Sequence, residues 1–466
     1  MPPWLKQLLP ILILLAAIFF VLKRLPKVDL GHSEAFLRRR RWNWLPLGLT
    51  YAFLYMGRYN LSANIPVLQG MEILSKEEFG SIDGVGSVAY GFAFLLNGPL
   101  TDRWGGRATI LIAAAGSALM NLLMGATMQI AGKGELDHGT FITALTVLNA
   151  ANMYFQSFGA VSIVKVNAPW FHVRERGVLG GVFGILISLG LYFAYDWTRF
   201  IGKALPIQWA FHIPAALLVG FFIIDYFLIR DTPGDAGFQD FDTADASSGD
   251  TGPSLGVVDV ARRMFSQPVI WIIVAIEFCS GFLRNAIMKW YLVFADKTGE
   301  KLDFVASNWG VLLCVAGILG GVFAGFISDH VFESRRGPVA TVLYAGLVVG
   351  AAVVSFTLGS PAVGWTVVFM SLCVIGVHGM LSGTASMDFG GKKNAGVATG
   401  IIDGFVYLGT GAQAFLYGRI LPSGDAAKDP QNWSQWPLAM LPVAILGLVL
   451  ATRVWNARPQ RAAPAH

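Results

Sequence analysis

Thirteen apolar runs divide this chain, and twelve of them are long enough to cross a lipid bilayer, which takes about 20 mostly apolar residues. The first run, Leu8 to Leu22, has fifteen residues. The others extend approximately over Trp44–Leu68, Phe79–Leu100, Ala108–Ala131, Thr140–Val164, Gly177–Trp197, Gln208–Ile229, Pro268–Phe294, Val305–Ile327, Val339–Leu358, Val363–Ser386, Gly396–Ile420 and Trp436–Val454. Charged residues make up 14% of the chain, against about 25% in an ordinary soluble domain. Disorder, collagen, coiled coil and most soluble enzymes are thereby excluded, leaving a polytopic helical membrane protein. Cys279, Cys314 and Cys373 all lie in apolar runs and form an odd set, so neither a disulfide framework nor a metal cluster is expected. No Walker loop occurs, which argues against ATP-driven transport.

The basic residues report orientation. With alternate loops assigned to opposite sides, 22 Lys and Arg fall on one side and nine on the other, leaving three of the 34 inside spans. The richer side is cytoplasmic. The net charge of +5 is therefore a consequence of topology and does not imply a nucleic-acid partner. The short first run is either a cleaved signal peptide or an uncleaved extra helix. Its basic flank is stronger after the apolar run and no small-residue cleavage site follows, which favours an extra helix with its N-terminus outside. The remaining twelve spans then begin and end in the cytoplasm.

Between Asp231 and Gly256 the chain is rich in Asp, Gly, Ser and Pro, with no Lys or Arg. This reads as a flexible cytoplasmic linker. The expected organisation is residues 1–41 as extra helix and basic linker, 42–230 as a six-helix bundle, 231–256 as acidic linker, and 257–466 as a second six-helix bundle with tail. Gly98-Pro-Leu-Thr-Asp102-Arg103-Trp-Gly105-Gly106-Arg107 closes the second span of the first bundle. Gly325-Phe-Ile-Ser-Asp329-His330 closes its counterpart 227 residues later. Arg58 and Arg284 lie inside the leading spans of the two bundles, 226 residues apart. Two independent markers at one offset argue for a duplicated unit, and parallel repeats place a substrate site near the midplane between them. The Gly-x-x-x-Asp-Arg-x-Gly-x-Arg loop resembles the cytoplasmic signature of the major facilitator superfamily. Asp102, Arg103, Arg107 and Asp329 are the gating candidates, with Asp102 expected to pair with a basic group or a helix N-terminus at the gate between the halves.

An ionisable side chain at mid-bilayer is costly and by default faces a cavity. Arg58 shares a helical face with Tyr51, Tyr55 and Ser62, and Arg284 shares one with Glu277, Gly281, Met288 and Tyr291. Two arginines at one depth suit a phosphate or carboxylate, since each guanidinium donates two parallel hydrogen bonds. The opposing reading has them neutralised by Glu277 and Asp403. Lys289 is either a third basic contact or a snorkelling interfacial lysine. Asp403, one turn before Tyr407, is a proton carrier, a counter-ion for Lys289 or a contact to substrate hydroxyls. His378 reads as a satisfied polar residue.

The chain also carries Tyr51-x3-Tyr55-x2-Arg58-x-Asn60, Trp170-Phe-x-x-Arg-Glu-Arg-Gly177, Arg230-Asp231-Thr-Pro233 with Gly237, Arg284 with Trp290, and Lys392-Lys393-x-Ala395-Gly396-x-Ala398-x-Gly400. Together these resemble the organophosphate:phosphate antiporter family, over about Arg38 to Val454. The resemblance implies an all-α membrane protein with two pseudo-symmetric six-helix bundles of the major facilitator fold, here with the extra N-terminal helix. It implies a monomeric carrier in the inner membrane that exchanges an organic phosphate for inorganic phosphate by rocking of the halves, without cofactor. Arg58 and Arg284 would hold the phosphate, beside Tyr51, Tyr55, Lys289, Tyr291, Asp403 and Tyr407. The lysine that glycerol-phosphate carriers place in span two is Phe94 here, and their span-five histidine position is Ile187. Two alternatives stand beside this reading. One is a proton-coupled symporter of another organic anion, with Glu277 or Asp403 protonating, and the other is a membrane sensor of a sugar phosphate.

Overall fold

The computed structural model describes residues 31–172, 186–243, 258–259, 262, 265–266, 268–299, 303–332 and 336–456. The predicted first span, the Arg174–Gly177 loop and most of the acidic linker lie outside them. All regular structure among the described residues is helical. The first half contains α1 (Glu34–Ala63), α2 (Lys76–Trp104), α3 (Gly106–Gly132), α4 (His138–Asn167), α5 (residues 186–204) and α6 (Trp209–Leu228). The second contains α7 (Pro268–Met288), α8 (Trp309–His330), α9 (Arg336–Thr357), α10 (Ala362–Ile420) and α11 (Gln435–Arg453). Seven stretches within these helices are long and apolar enough to cross a membrane. Val147, Phe227 and Phe356 are among the large apolar side chains left exposed, as expected of a surface that faces lipid rather than water.

Local chemistry sets the helix starts. At α2 a capping box forms, in which Ser75 Oγ accepts from Glu78 N at 3.2 Å and Glu78 Oε2 accepts from Ser75 N at 2.8 Å. Asp137 caps α4 by accepting from Thr140 N at 3.0 Å. The two halves repeat one feature that positions the site. α1 ends at Asn64, six residues past Arg58, and a short helix Ile65–Gly70 continues it. α7 breaks at Lys289, five residues past Arg284, and Trp290–Lys297 continues it. The break in α7 frees carbonyls, and tryptophans take them: Trp309 Nε1 donates to Met288 O and Trp436 Nε1 to Ala286 O, both at 3.0 Å.

Helical backbone runs unbroken for the 59 residues of α10, which covers two predicted spans. It nonetheless reverses direction. His378 bonds Glu277, whereas a Cβ on Gly409 would collide with the carbonyl oxygen of the adjacent Phe278. A straight helix would separate positions 378 and 409 by about 46 Å, so the chain folds back between its two membrane passages.

The halves meet along α2 and the second passage of α10, where facing glycines bring the backbones together. A Cβ on Gly80 would lie 2.7 Å from Gly418 Cα, and one on Gly91 would lie 2.8 Å from Gly404 O. Small residues permit this approach, and any side chain would pry the helices apart. The ends away from the Gly98–Arg107 loop are also joined: Lys76 Nζ donates to Leu421 O, Arg199 Nη1 donates to Ala306 O at 2.8 Å, and Asp196 accepts from Gly310 N and Val311 N at 2.8 and 3.1 Å.

The described part of the linker is packed rather than flexible. Gly234 N donates to Asp240 at 2.8 Å, and Phe238 and Phe241 pack edge-on to Phe36, each at 5.7 Å between ring centroids. Apolar residues within the acidic stretch give this segment a partner that its overall composition concealed.

Candidate functional site

Arg58 is buried where α1 meets α4 and α10. Its Nε and Nη2 donate to Gln156 Oε1 at 3.2 and 3.1 Å, and its Nη1 donates to Tyr407 OH at 3.4 Å. The guanidinium lies over Tyr55 at 4.5 Å and Tyr90 at 4.8 Å, with Tyr51 at 5.9 Å. Gln156 is itself fixed, since its Nε2 donates to Leu54 O at 2.9 Å. The hydrogen-bond partners of Arg58 are thus an amide and a phenol, which orient the cation without cancelling its charge.

Arg284 approaches from α7, half-buried, its guanidinium 5.3 Å from the centre of the Tyr407 ring. One tyrosine therefore stands against both arginines, and the arginines come from opposite halves. Arg284, Lys289 and Tyr407 of the second half, with Tyr59, Ser87 and Tyr195 of the first, line a cavity of about 10 Å³, room for about one water. Ser87 Oγ and Tyr195 OH are buried there with no hydrogen-bond partner, donors and acceptors available to an occupant.

Lys289 reaches this cavity rather than the interface with water. It is buried and paired with Asp83 on α2, which also accepts from Asn285 Nδ2 at 3.2 Å. Asp403, proposed as its counter-ion, is buried on α10 one turn before Tyr407. Glu277, proposed to neutralise Arg284, has its Oε2 3.2 Å from His378 Nδ1. Tyr291 is not brought to the cavity. It packs on Trp309 at 4.6 Å between ring centroids, because the break at Lys289 ends the face it would have shared with Arg284.

Among the gating candidates, Asp102 pairs within the first half, with Lys165 of α4 at 2.8 Å. Arg107 Nη2 donates to Tyr226 O at 2.7 Å, and its backbone N donates to Asp231 Oδ1 at 2.8 Å. Gly105 has φ +84°, and a Cβ there would lie 2.6 Å from Asp231 Oδ2, so the glycine loop and the Arg230-Asp231 motif form one docked unit. Arg103 is exposed, and the side chain of Asp329 lies outside the described residues.

Gln156 and Asp83 escaped the sequence reading. A count of acids inside spans, parallel to the count of bases, would have found Asp83, as well as Asp225, which accepts from Thr50 Oγ1 at 2.6 Å. Nothing distinguishes Gln156 from the other buried amides of α4, Asn149, Asn152 and Asn167, until Arg58 is placed beside it.

A family model described as the Major Facilitator Superfamily matches residues 47–414. A glycerol-3-phosphate transporter of Bacillus subtilis is 26% identical over 453 residues, covering 92% of this chain and 95% of that protein. A probable hexose phosphate transport protein of Chlamydia pneumoniae is 23% identical, covering 87% and 89%. The membrane sensor protein UhpC of Escherichia coli is 23% identical, covering 91% and 94%. In fold, the chain is similar to the crystal structure of a bacterial homolog to the human lysosomal transporter Spinster, in its inward-facing and unoccupied conformation. The TM-score is 0.66 at 12% identity, covering 93% of this chain and all of that one. With its helices, its duplicated arginines and its docked glycine loop, the chain belongs to the major facilitator superfamily of membrane transporters, not to the enzymes.

Proposed function

We propose that this protein carries an organic phosphate across the bacterial inner membrane, in exchange for inorganic phosphate, with Arg58 and Arg284 holding the phosphate group. The observation that carries the reading is the meeting of these two arginines, one from each half, at Tyr407, with an amide and a phenol as the hydrogen-bond partners of Arg58. A dianion between the halves would supply a counter-charge to both and bind each half to the other. Tyr51, Tyr55, Asp403 and Lys289 complete the polar surroundings. The cavity, at about 10 Å³, is too small for a phosphate ester, so loading requires the halves to separate. The joined outer ends favour opening towards the cytoplasm, and rocking about the glycine seam would expose the site to each side in turn. Relatives named as glycerol-3-phosphate and hexose phosphate transporters support the substrate class.

The test uses proteoliposomes preloaded with inorganic phosphate. Uptake of labelled glycerol 3-phosphate, hexose phosphates and phosphoglycerates is expected for at least one ester and lost in Arg58→Lys and Arg284→Lys, because lysine cannot reproduce the bidentate fork. Equal uptake with and without internal phosphate rules out exchange. A relative named as a membrane sensor supports a second reading, in which the same site binds a sugar phosphate without moving it. Tight binding without counterflow would favour that role.

A further inference from the structure

We propose that Glu277 and His378 form a proton-carrying site that links anion binding at Arg284 to the uptake of one proton. This rests on the reading of Arg284 as a phosphate ligand. Glu277 lies seven residues before Arg284 on α7, on the same helical face and about 10 Å along the axis. Its side chain is wholly buried, with Oε2 3.2 Å from His378 Nδ1 and Oε1 without a hydrogen-bond partner. His378, on the first membrane passage of α10, is partly exposed, at 26% of its side-chain surface. The imidazole therefore stands between an enclosed carboxyl and an accessible surface, as a relay would.

Among the described residues the ionisable groups around the pair are few. α7 contributes Arg284 and Cys279, the second passage of α10 contributes Asp403, and α9 contributes Tyr344, whose hydroxyl already donates to Ile276 O at 2.6 Å. Within α11 the sole ionisable residue is its last, Arg453. Among the described residues, the cation that Glu277 faces besides a protonated His378 is Arg284. An ionised Glu277 and a bound phosphate compete for that one guanidinium, and a proton on Glu277 removes the competitor.

The proton balance is simple. His378 Nε2 takes one proton from water and its Nδ1 passes one to Glu277 Oε2. The imidazole ends neutral, the carboxyl has gained one proton, and no other bond changes. Anion binding then draws a proton in and anion release lets it go, so a pH gradient acts on the carrier through this pair.

The experiment uses the full chain in nanodiscs, with inorganic phosphate and glycerol 3-phosphate as probes. Proton uptake on binding is read with a pH-indicator dye, and Kd is measured from pH 5.5 to pH 8.5. The probe's own titration is common to all variants and cancels in comparison. Glu277→Gln is expected to abolish the protein's share of proton uptake and to bind about tenfold tighter than wild type at high pH. His378→Gln is expected to slow proton uptake. If wild type and Glu277→Gln share one pH dependence and one dye signal, the proton site is overturned while the anion site stands. If neither protein binds either probe, the organic-phosphate reading fails and infrared difference spectra taken without ligand decide the proton site. A protonated-carboxyl band that titrates in wild type, is missing in Glu277→Gln and shifts in His378→Gln upholds it. Lack of such a band overturns it.

Discussion

Lys289, at the break that ends α7, and Asp83 of α2 form an ion pair that joins the second half of the chain to the first beside the central cavity. Removing one member of a buried pair leaves an uncompensated charge, at a cost of about 3–5 kcal/mol. Lys289→Met is therefore expected to lower the thermal midpoint markedly, and the double variant with Asp83→Asn to recover most of the loss. Asp83→Asn alone releases Lys289 towards the cavity, so the stabilisation conferred by added phosphate should exceed that of wild type. Thermal unfolding with and without phosphate checks both. An equal phosphate response in the two proteins would count against Lys289 as a third cation.

Gln156 holds Arg58 through two hydrogen bonds to one oxygen. Hydrogen bonds to a charged group are worth about 1.5–3 kcal/mol, so Gln156→Leu should weaken phosphate binding about 10- to 100-fold as the guanidinium loses its fixed orientation. Gln156→Glu keeps the shape but sets a carboxylate against Arg58 in place of the amide. It should abolish anion binding while the protein stays folded, as circular dichroism and phosphate titration would show.

What the sequence made legible here follows from the cost of charge in lipid. Three basic residues inside spans are conspicuous, and the structure brings Arg58, Arg284 and Lys289 to one interface. The repeat offset marked a duplicated unit, and the structure adds a helix break soon after each of the two arginines. Neutral and paired features were hidden. Gln156 carries no charge to stand out in an apolar run, and Asp83 gained meaning only when α2 and α7 came together across 206 residues of sequence. Tyr291 went astray because helical periodicity was carried through Lys289, where α7 breaks. The linker's composition masked Phe238 and Phe241, which dock it.

Asp231 gives a pH dependence outside the membrane. Burial at the glycine loop holds its carboxyl above the ordinary range, against the opposing hydrogen bond from the Arg107 amide. A carboxyl raised in the folded state favours the fold most while protonated. Its contribution should therefore fall as pH rises from the unfolded carboxylate value of about 3.9 through the folded one. Asp231→Asn retains an acceptor for Arg107 N and cannot ionise. The stability of wild type relative to this variant should decline as pH rises above about 4, and a parallel pair of thermal-midpoint curves would refute the assignment.

In the proposed topology the outer ends of the halves are fastened by a helix cap supplied from across the interface. Asp196, within the π-helical stretch Phe193–Trp197 of α5, accepts from Gly310 N and Val311 N in the first turn of α8. Those amides have no partner within their own helix, and a carboxylate there also meets the positive end of the helix dipole. Loss of such a cap costs about 0.5–2 kcal/mol. Because the bond joins two halves, that cost falls on the outward-closed arrangement and not on either half alone. Asp196→Ala should thus shift the carrier towards outward opening roughly 2- to 30-fold. The shift is measurable as faster labelling of Met288→Cys by a membrane-impermeant thiol reagent added outside, with the three native cysteines replaced by alanine. Asp196→Asn, which can still accept one of the two hydrogen bonds, should fall between. Identical labelling rates in all three proteins would mean that the cap stabilises α8 without holding the halves together.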